Sequence, residues 1–176
     1  MNDESIVVRQ GSLDFMCSVY AAINLLYYYG ALNELDDAAV PFRRAVDFMN
    51  TECDWDLAGA ICEGVDEEDC IKLFEELSGY HWDVDKDVAQ RYKARFDRLE
   101  RLKNILEGGV KAVIVSLIRY TNRTREVVHY TVVTGLNSES LAIRDSQGKI
   151  ITRKGNNLQY DGEEVSLGCF YIMQSQ

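Results

Sequence analysis

At Gly108–Gly109 the spacing of apolar residues changes, and with it the kind of structure the chain can build. Before that point, Val88, Tyr92, Phe96, Leu99, Leu102 and Leu106 recur at three- and four-residue steps. That spacing lines one face of a helix predicted over 86–106. After it, "VKAVIVSLIRY" and "VVHYTVVTGL" are rich in β-branched residues, and the polar "TNRTRE", "NSES" and "SQGK" separate short runs, with further strands at "LAIRD", "IITRK" and "GCFYIM". Short strands joined by tight polar turns predict an antiparallel sheet. A helical half followed by an antiparallel half defines an α+β fold class.

The helical half divides further. A helix is predicted over 18–29, stopped at Gly30, the residue type that tolerates a left-handed terminus. A second spans 36–49 and is interrupted or started near Pro41. Shorter ones are expected over 54–62, ended by Gly64, and over 66–77, ended by Gly79. In the last of these, the acidic start "DEEDC" suits the positive end of the helix dipole. "GYHWDVD" around His81 reads as a loop. The single proline and the lack of any Ser- or Gly-rich linker in 176 residues predict one domain, 1–176.

Charge and cysteine usage narrow the function. A formal charge of −10 argues against nucleic acid as a partner, because a phosphate backbone needs a basic face. It serves solubility, and if it selects a substrate it favours a basic peptide or protein. "NDES" is acidic and no apolar core follows it, so no signal peptide is expected. The apolar stretch 19–29 contains Asn24 and is too short to span a bilayer, so no membrane partner is expected either. The five cysteines, Cys17, Cys53, Cys62, Cys70 and Cys169, are odd in number and predict reduced thiols in a cytoplasmic setting. Cys53, Cys62, Cys70 and His81 form no CxxC pair, so neither a metal site nor a cofactor is expected. Asn24, inside the first helix, is expected to hydrogen-bond within the core.

One cysteine has a different context. Cys17 stands where the polar, glycine-bearing loop "QGSLDFM" gives way to the apolar helix "SVYAAINLL". Thiolates are stabilised at helix N-termini and beside imidazolium, and the thiolate is the nucleophilic form. His129 lies within an apolar strand, a costly place for a polar ring that lacks a partner. Tyr130, Val132 and Thr134 should face one side of that strand, and His129, Thr131 and Val133 the other. Asp145 ends the next strand, and adjacent antiparallel strands of this length bring it toward His129. Together these give a nucleophile, a base and a residue that orients the base. The backbone N–H of Cys17 and the side-chain amide of Gln10 are candidates for stabilising the oxyanion.

The stretches "QGSLDFMCSVYAAINLL", "EGGVKAVIVSL" and "VVHYTVVTGLNSESLAIRDSQG" resemble the papain-like cysteine peptidases, most closely the C39-like group that includes double-glycine leader peptidases. The resemblance covers 10–24 and 107–148, and implies a papain-like fold with the nucleophile at a helix N-terminus packed on the sheet. It implies Cys17 as nucleophile, His129 as base, Asp145 as orienter and Gln10 as oxyanion-hole amide. Segment 31–106 matches no part of it and reads as a helical elaboration within the domain. Gln10 stands seven residues before Cys17 where six is usual. Met16 and Ser18 replace the usual Asp and Gly, and Ser146 the usual proline. Asp14 is a further candidate to support the oxyanion loop.

The expected activity is cysteine hydrolysis of a peptide or protein amide through an acyl-enzyme. Two alternatives share the sequence. A papain-fold deamidase, acyltransferase or toxin-type effector would pass the same acyl-enzyme to a different acceptor. A catalytically silent protein-binding module would use the acidic helical surface instead.

Overall fold

The computed structural model describes residues 6–10, 16–51, 65, 67–85, 94–121, 124–154 and 157–174. Helix α1, Cys17–Tyr29, is buried around most of its circumference, with Val19, Ala22, Ile23 and Leu25 fully enclosed. It ends as its sequence predicts: Gly30 adopts φ 75° and its N–H donates to the Tyr27 carbonyl at 3.0 Å. The predicted 36–49 helix begins as a 3-10 turn, Leu35–Ala38, and continues as α2, Ala39–Thr51. Pro41 falls in the first turn of α2, where no intrahelical N–H bond is lost. Helix α3 spans Glu67–Ser78 and is followed by Gly79 at φ +73°. Helix α4 spans Ala94–Glu107. The predicted helix over 54–62, with Cys53 and Cys62, lies outside the described residues, as do 86–93.

Among the described residues, seven antiparallel strands follow or interleave: β1 Trp82–Asp85, β2 Val113–Thr121, β3 Thr124–Leu136, β4 Ser140–Arg144, β5 Ile151–Lys154, β6 Asn157–Tyr160 and β7 Glu163–Met173. Their order is β1-β7-β2-β3-β4-β5-β6, and β6 also pairs with β7, so β2 to β7 form a closed ring of pairings. The fold is therefore α+β with an antiparallel sheet.

Two strands correct the sequence reading. Trp82–Asp85 is a strand rather than a loop, paired with Phe170–Met173 at the sheet edge. Its Trp82 is buried against Phe74, and tertiary packing rather than local alternation makes it a strand. β6 was hidden between two expected strands, although its signal is plain. Asp161 at φ 53° and Gly162 at φ 80° form the tight turn of a β6–β7 hairpin, with Leu158 and Tyr160 buried on alternate positions.

Alternation along the strands divides the apolar residues between two faces. On one, α1, α2 and α3 pack on Ile114, Tyr130, Val132 and Tyr171. On the other, Leu99 and Leu102 of α4 join Val113, Val115, Leu117, Val133 and Phe170. Tyr130 and Val132 thus face away from Val133, as the period of two requires.

Candidate active site

His129 and Asp145 come together through strand register. Val132 pairs with Arg144, which puts Asp145 opposite Thr131, two residues from His129 on the same side of β3. Such a diagonal neighbour is within reach of a long side chain. The His129 Nε2 to Asp145 Oδ1 distance is 2.6 Å, and both side chains are 1% exposed. The other carboxylate oxygen is occupied as well. Asp145 Oδ2 accepts the backbone N–H groups of Gln147 and Lys149 at 3.0 Å each, and the Tyr160 hydroxyl at 3.2 Å. The turn "SQGK" therefore folds its amides back onto the carboxylate, with Gly148 supplying φ +74°.

The charges follow from these contacts. Burial alone would lower the His129 pKa; hydrogen bonds to Asp145 and Cys17 outweigh it and raise it to about 9. Burial pushes the Asp145 pKa up, but its bond to His129 prevails and holds it below the ordinary carboxylate value. Both shifts favour the imidazolium–carboxylate form of the pair. Because Nε2 faces Asp145, the second nitrogen is the one free to serve Cys17. Among the described residues Nδ1 has no partner at ordinary hydrogen-bond geometry, while Cys17 is close enough to the ring to raise its pKa. Catalytic hydrogen bonds often tighten only once substrate is bound.

Cys17 is the first residue of α1. No side chain caps the helix at Met16, and no acidic residue occupies its first turn. An uncapped terminus costs about 1 kcal/mol relative to a Ser or Asp cap. A helix start presents N–H groups that lack intrahelical partners, donors suited to a negative sulfur or oxygen. Cys17 is also half-buried, whereas Cys70 and Cys169 are closed off at 0% and 4% exposure. Burial pushes the Cys70 thiol well above the ordinary range, as suits a small core side chain.

Gln10 is placed at the same site from another direction. Asn24, fully buried in α1, accepts the Val8 N–H at 2.7 Å and donates to the Val8 carbonyl at 3.2 Å. This clamp fixes segment 6–10 along the helix. Gln10 then donates its N–H to the Ser146 carbonyl at 3.1 Å and accepts the Ser146 hydroxyl at 3.3 Å. Arg9 Nη1 donates to the Asp145 carbonyl at 3.1 Å. The structure thus joins Gln10 to the residue after Asp145. Residues 11–15, which include Asp14, lie outside the described residues.

Tyr160 is a functional neighbour that the sequence reading did not single out. Its ring stacks on His129 at 5.1 Å and 19°, while its hydroxyl reaches both carboxylate oxygens of Asp145. The signal that could have found it is the Asp161–Gly162 turn, which brings β6 into the sheet.

Other features stand apart. Among the described residues no three His, Cys, Asp or Glu side chains are grouped to hold a metal ion. His81 sits at the surface with Nδ1 2.6 Å from Glu75. A cleft of about 390 Å³ between Leu99, Lys103 and Leu136 lies seven residues along β3 from His129. No described helix is long and apolar enough to cross a membrane. No family model matches this chain, and no curated protein sequence matches it.

Proposed function

We propose that the chain is a papain-like cysteine hydrolase, acting on peptide or protein amides through Cys17, His129 and Asp145. The observation that carries this reading is the buried His129, bonded to Asp145 through Nε2, with Cys17 close enough to the ring to raise its pKa. A merely structural histidine needs one partner; this one also lies close to a half-buried thiol at the start of a helix.

The steps use only these groups. The Cys17 sulfur attacks the amide carbon, a C–S bond forms, and the carbonyl π pair moves onto oxygen. Backbone N–H groups at the start of α1, with the Gln10 amide a further candidate, stabilise that oxyanion. His129 gives its Nδ1 proton to the nitrogen as the C–N bond breaks, releasing an amine and leaving a thioester. His129 then accepts a proton from water, whose oxygen attacks the thioester and releases the acid. Asp145 keeps the Nε2 proton in place throughout.

Iodoacetamide labelling read by intact and peptide mass spectrometry tests the reading. At about pH 6, where ordinary thiols are protonated, Cys17 should react first, and His129→Ala should remove that advantage. Labelling of Cys17 no faster than Cys53 or Cys62 would end the proposal.

A further inference from the structure

A groove of about 560 Å³ opens between α1, α2 and segment 6–10, one helical turn from Cys17. Its apolar lining includes Tyr20, Ile23, Phe42 and Val46, and the Tyr20 and Phe42 rings meet at 5.8 Å. Its size suits a large side chain with room for adjoining backbone. Two exposed cations, Arg9 and Arg43, stand on its rim. Neither has a carboxylate partner among the described residues, whereas Arg98, Arg101, Arg119 and Lys149 each hold one. Arg9 ties the rim of the groove to the Asp145 turn, because its Nη1 donates to the carbonyl of Asp145.

We propose that this groove is a substrate subsite for a peptide segment carrying a large apolar side chain next to a carboxylate. The inference rests on the cysteine-hydrolase reading above and names its substrate class. It also reverses what net charge suggests. The whole chain carries −10, which favours basic ligands at a distance, but screening confines each charge to about 8 Å at physiological salt. Within that range a ligand in the groove meets Arg9 and Arg43. The apolar side chain leaves water against Tyr20, Phe42 and Val46, and the carboxylate sits between the two guanidinium groups.

Tetrapeptidyl vinyl sulfones test this, with a Phe–Asp, Phe–Lys or Gly–Asp pair scanned across the positions before the warhead. At the best position, Phe–Asp should label Cys17 about fivefold faster than Phe–Lys, the effect of exchanging attraction for repulsion at exposed sites. It should outpace Gly–Asp by at least about tenfold, from burial of the ring. Arg43→Glu should invert the Asp-over-Lys order. High salt should shrink the charge preference and leave the apolar one. Equal labelling by all three probes, or Phe–Lys equal to Phe–Asp at every position, overturns the subsite. Iodoacetamide needs no subsite and separates the two failures. Fast iodoacetamide with indifferent probes removes the groove alone, whereas slow iodoacetamide removes the hydrolase reading beneath it.

Discussion

Asp145→Asn is nearly isosteric, yet the hydrogen bonds around residue 145 make it a severe change. The Oδ2 position accepts two backbone N–H groups, from Gln147 and Lys149, so the amide oxygen of Asn must turn there. Its NH2 group then faces His129 Nε2, which must become an acceptor. The ring is forced into the neutral form with its proton on Nδ1, toward Cys17, and protonating Nε2 would set donor against donor. His129, raised to about 9 in the native site, should therefore fall below its ordinary 6.5. That drop of at least about 2.5 pH units is ~300-fold in the ratio of charged to neutral ring. The charged ring that would accompany a Cys17 thiolate is lost with that shift. At about pH 7 the native ring stays almost fully charged while the variant's is charged in at most about a quarter of molecules, so Cys17 alkylation there should slow by at least about fourfold.

The same pair predicts a pH dependence of folding. A group whose pKa is raised in the folded state stabilises it fully below the unfolded value, here 6.5, and that contribution disappears as pH rises through about 9. For nearly dry side chains the amount is about 3 kcal/mol. Urea unfolding of the wild-type chain should show this loss between neutral and alkaline pH, and Asp145→Asn should lack the slope. Retention of both the wild-type labelling rate and the wild-type slope in the variant would refute the ion-pair account.

Four further outcomes follow from the packing. Asn24→Leu leaves the Val8 N–H and carbonyl without their clamp and should cost ~1–3 kcal/mol in urea unfolding, with a slower Cys17 labelling rate as segment 6–10 loosens. Tyr160→Phe keeps the ring stack on His129 but removes a donor to Asp145, and should lower stability by about 1 kcal/mol in urea unfolding. Gly168→Ala would drive a methyl into the Ser116 hydroxyl and Ile118; Ser116 is fixed by bonds to Glu67 and to the Cys169 N–H, so a loss of about 1–3 kcal/mol is expected by thermal unfolding. On the acid side, burial pushes the Asp85 pKa up, but bonds from Arg101 and Arg98 prevail and hold it below the ordinary value. Its contribution is present above the unfolded carboxylate pKa and lost as pH falls through the lowered value, so Asp85→Asn should flatten the acid limb of the stability curve.

The sequence by itself determined the local elements. Apolar spacing and glycine stops delimited α1 and α3 to within a residue or two, and β-branched runs marked β2 and β3. It also made Cys17, His129 and Asp145 candidates, because a thiol at a helix start and an imidazole in an apolar strand are each costly without a purpose. Period-two alternation even fixed which neighbours share the side of His129. Only the tertiary structure decided what depends on pairing between distant segments. Trp82–Asp85 is a strand because β7 offers it an edge. Tyr160 lies against His129 because the β6–β7 hairpin closes the ring of strands. Arg9 and Gln10 reach the Asp145 loop because Asn24 clamps Val8 sixteen residues away. Local periodicity is written in neighbouring residues, but register, burial and the sharing of one carboxylate among four donors arise only when the chain has closed on itself.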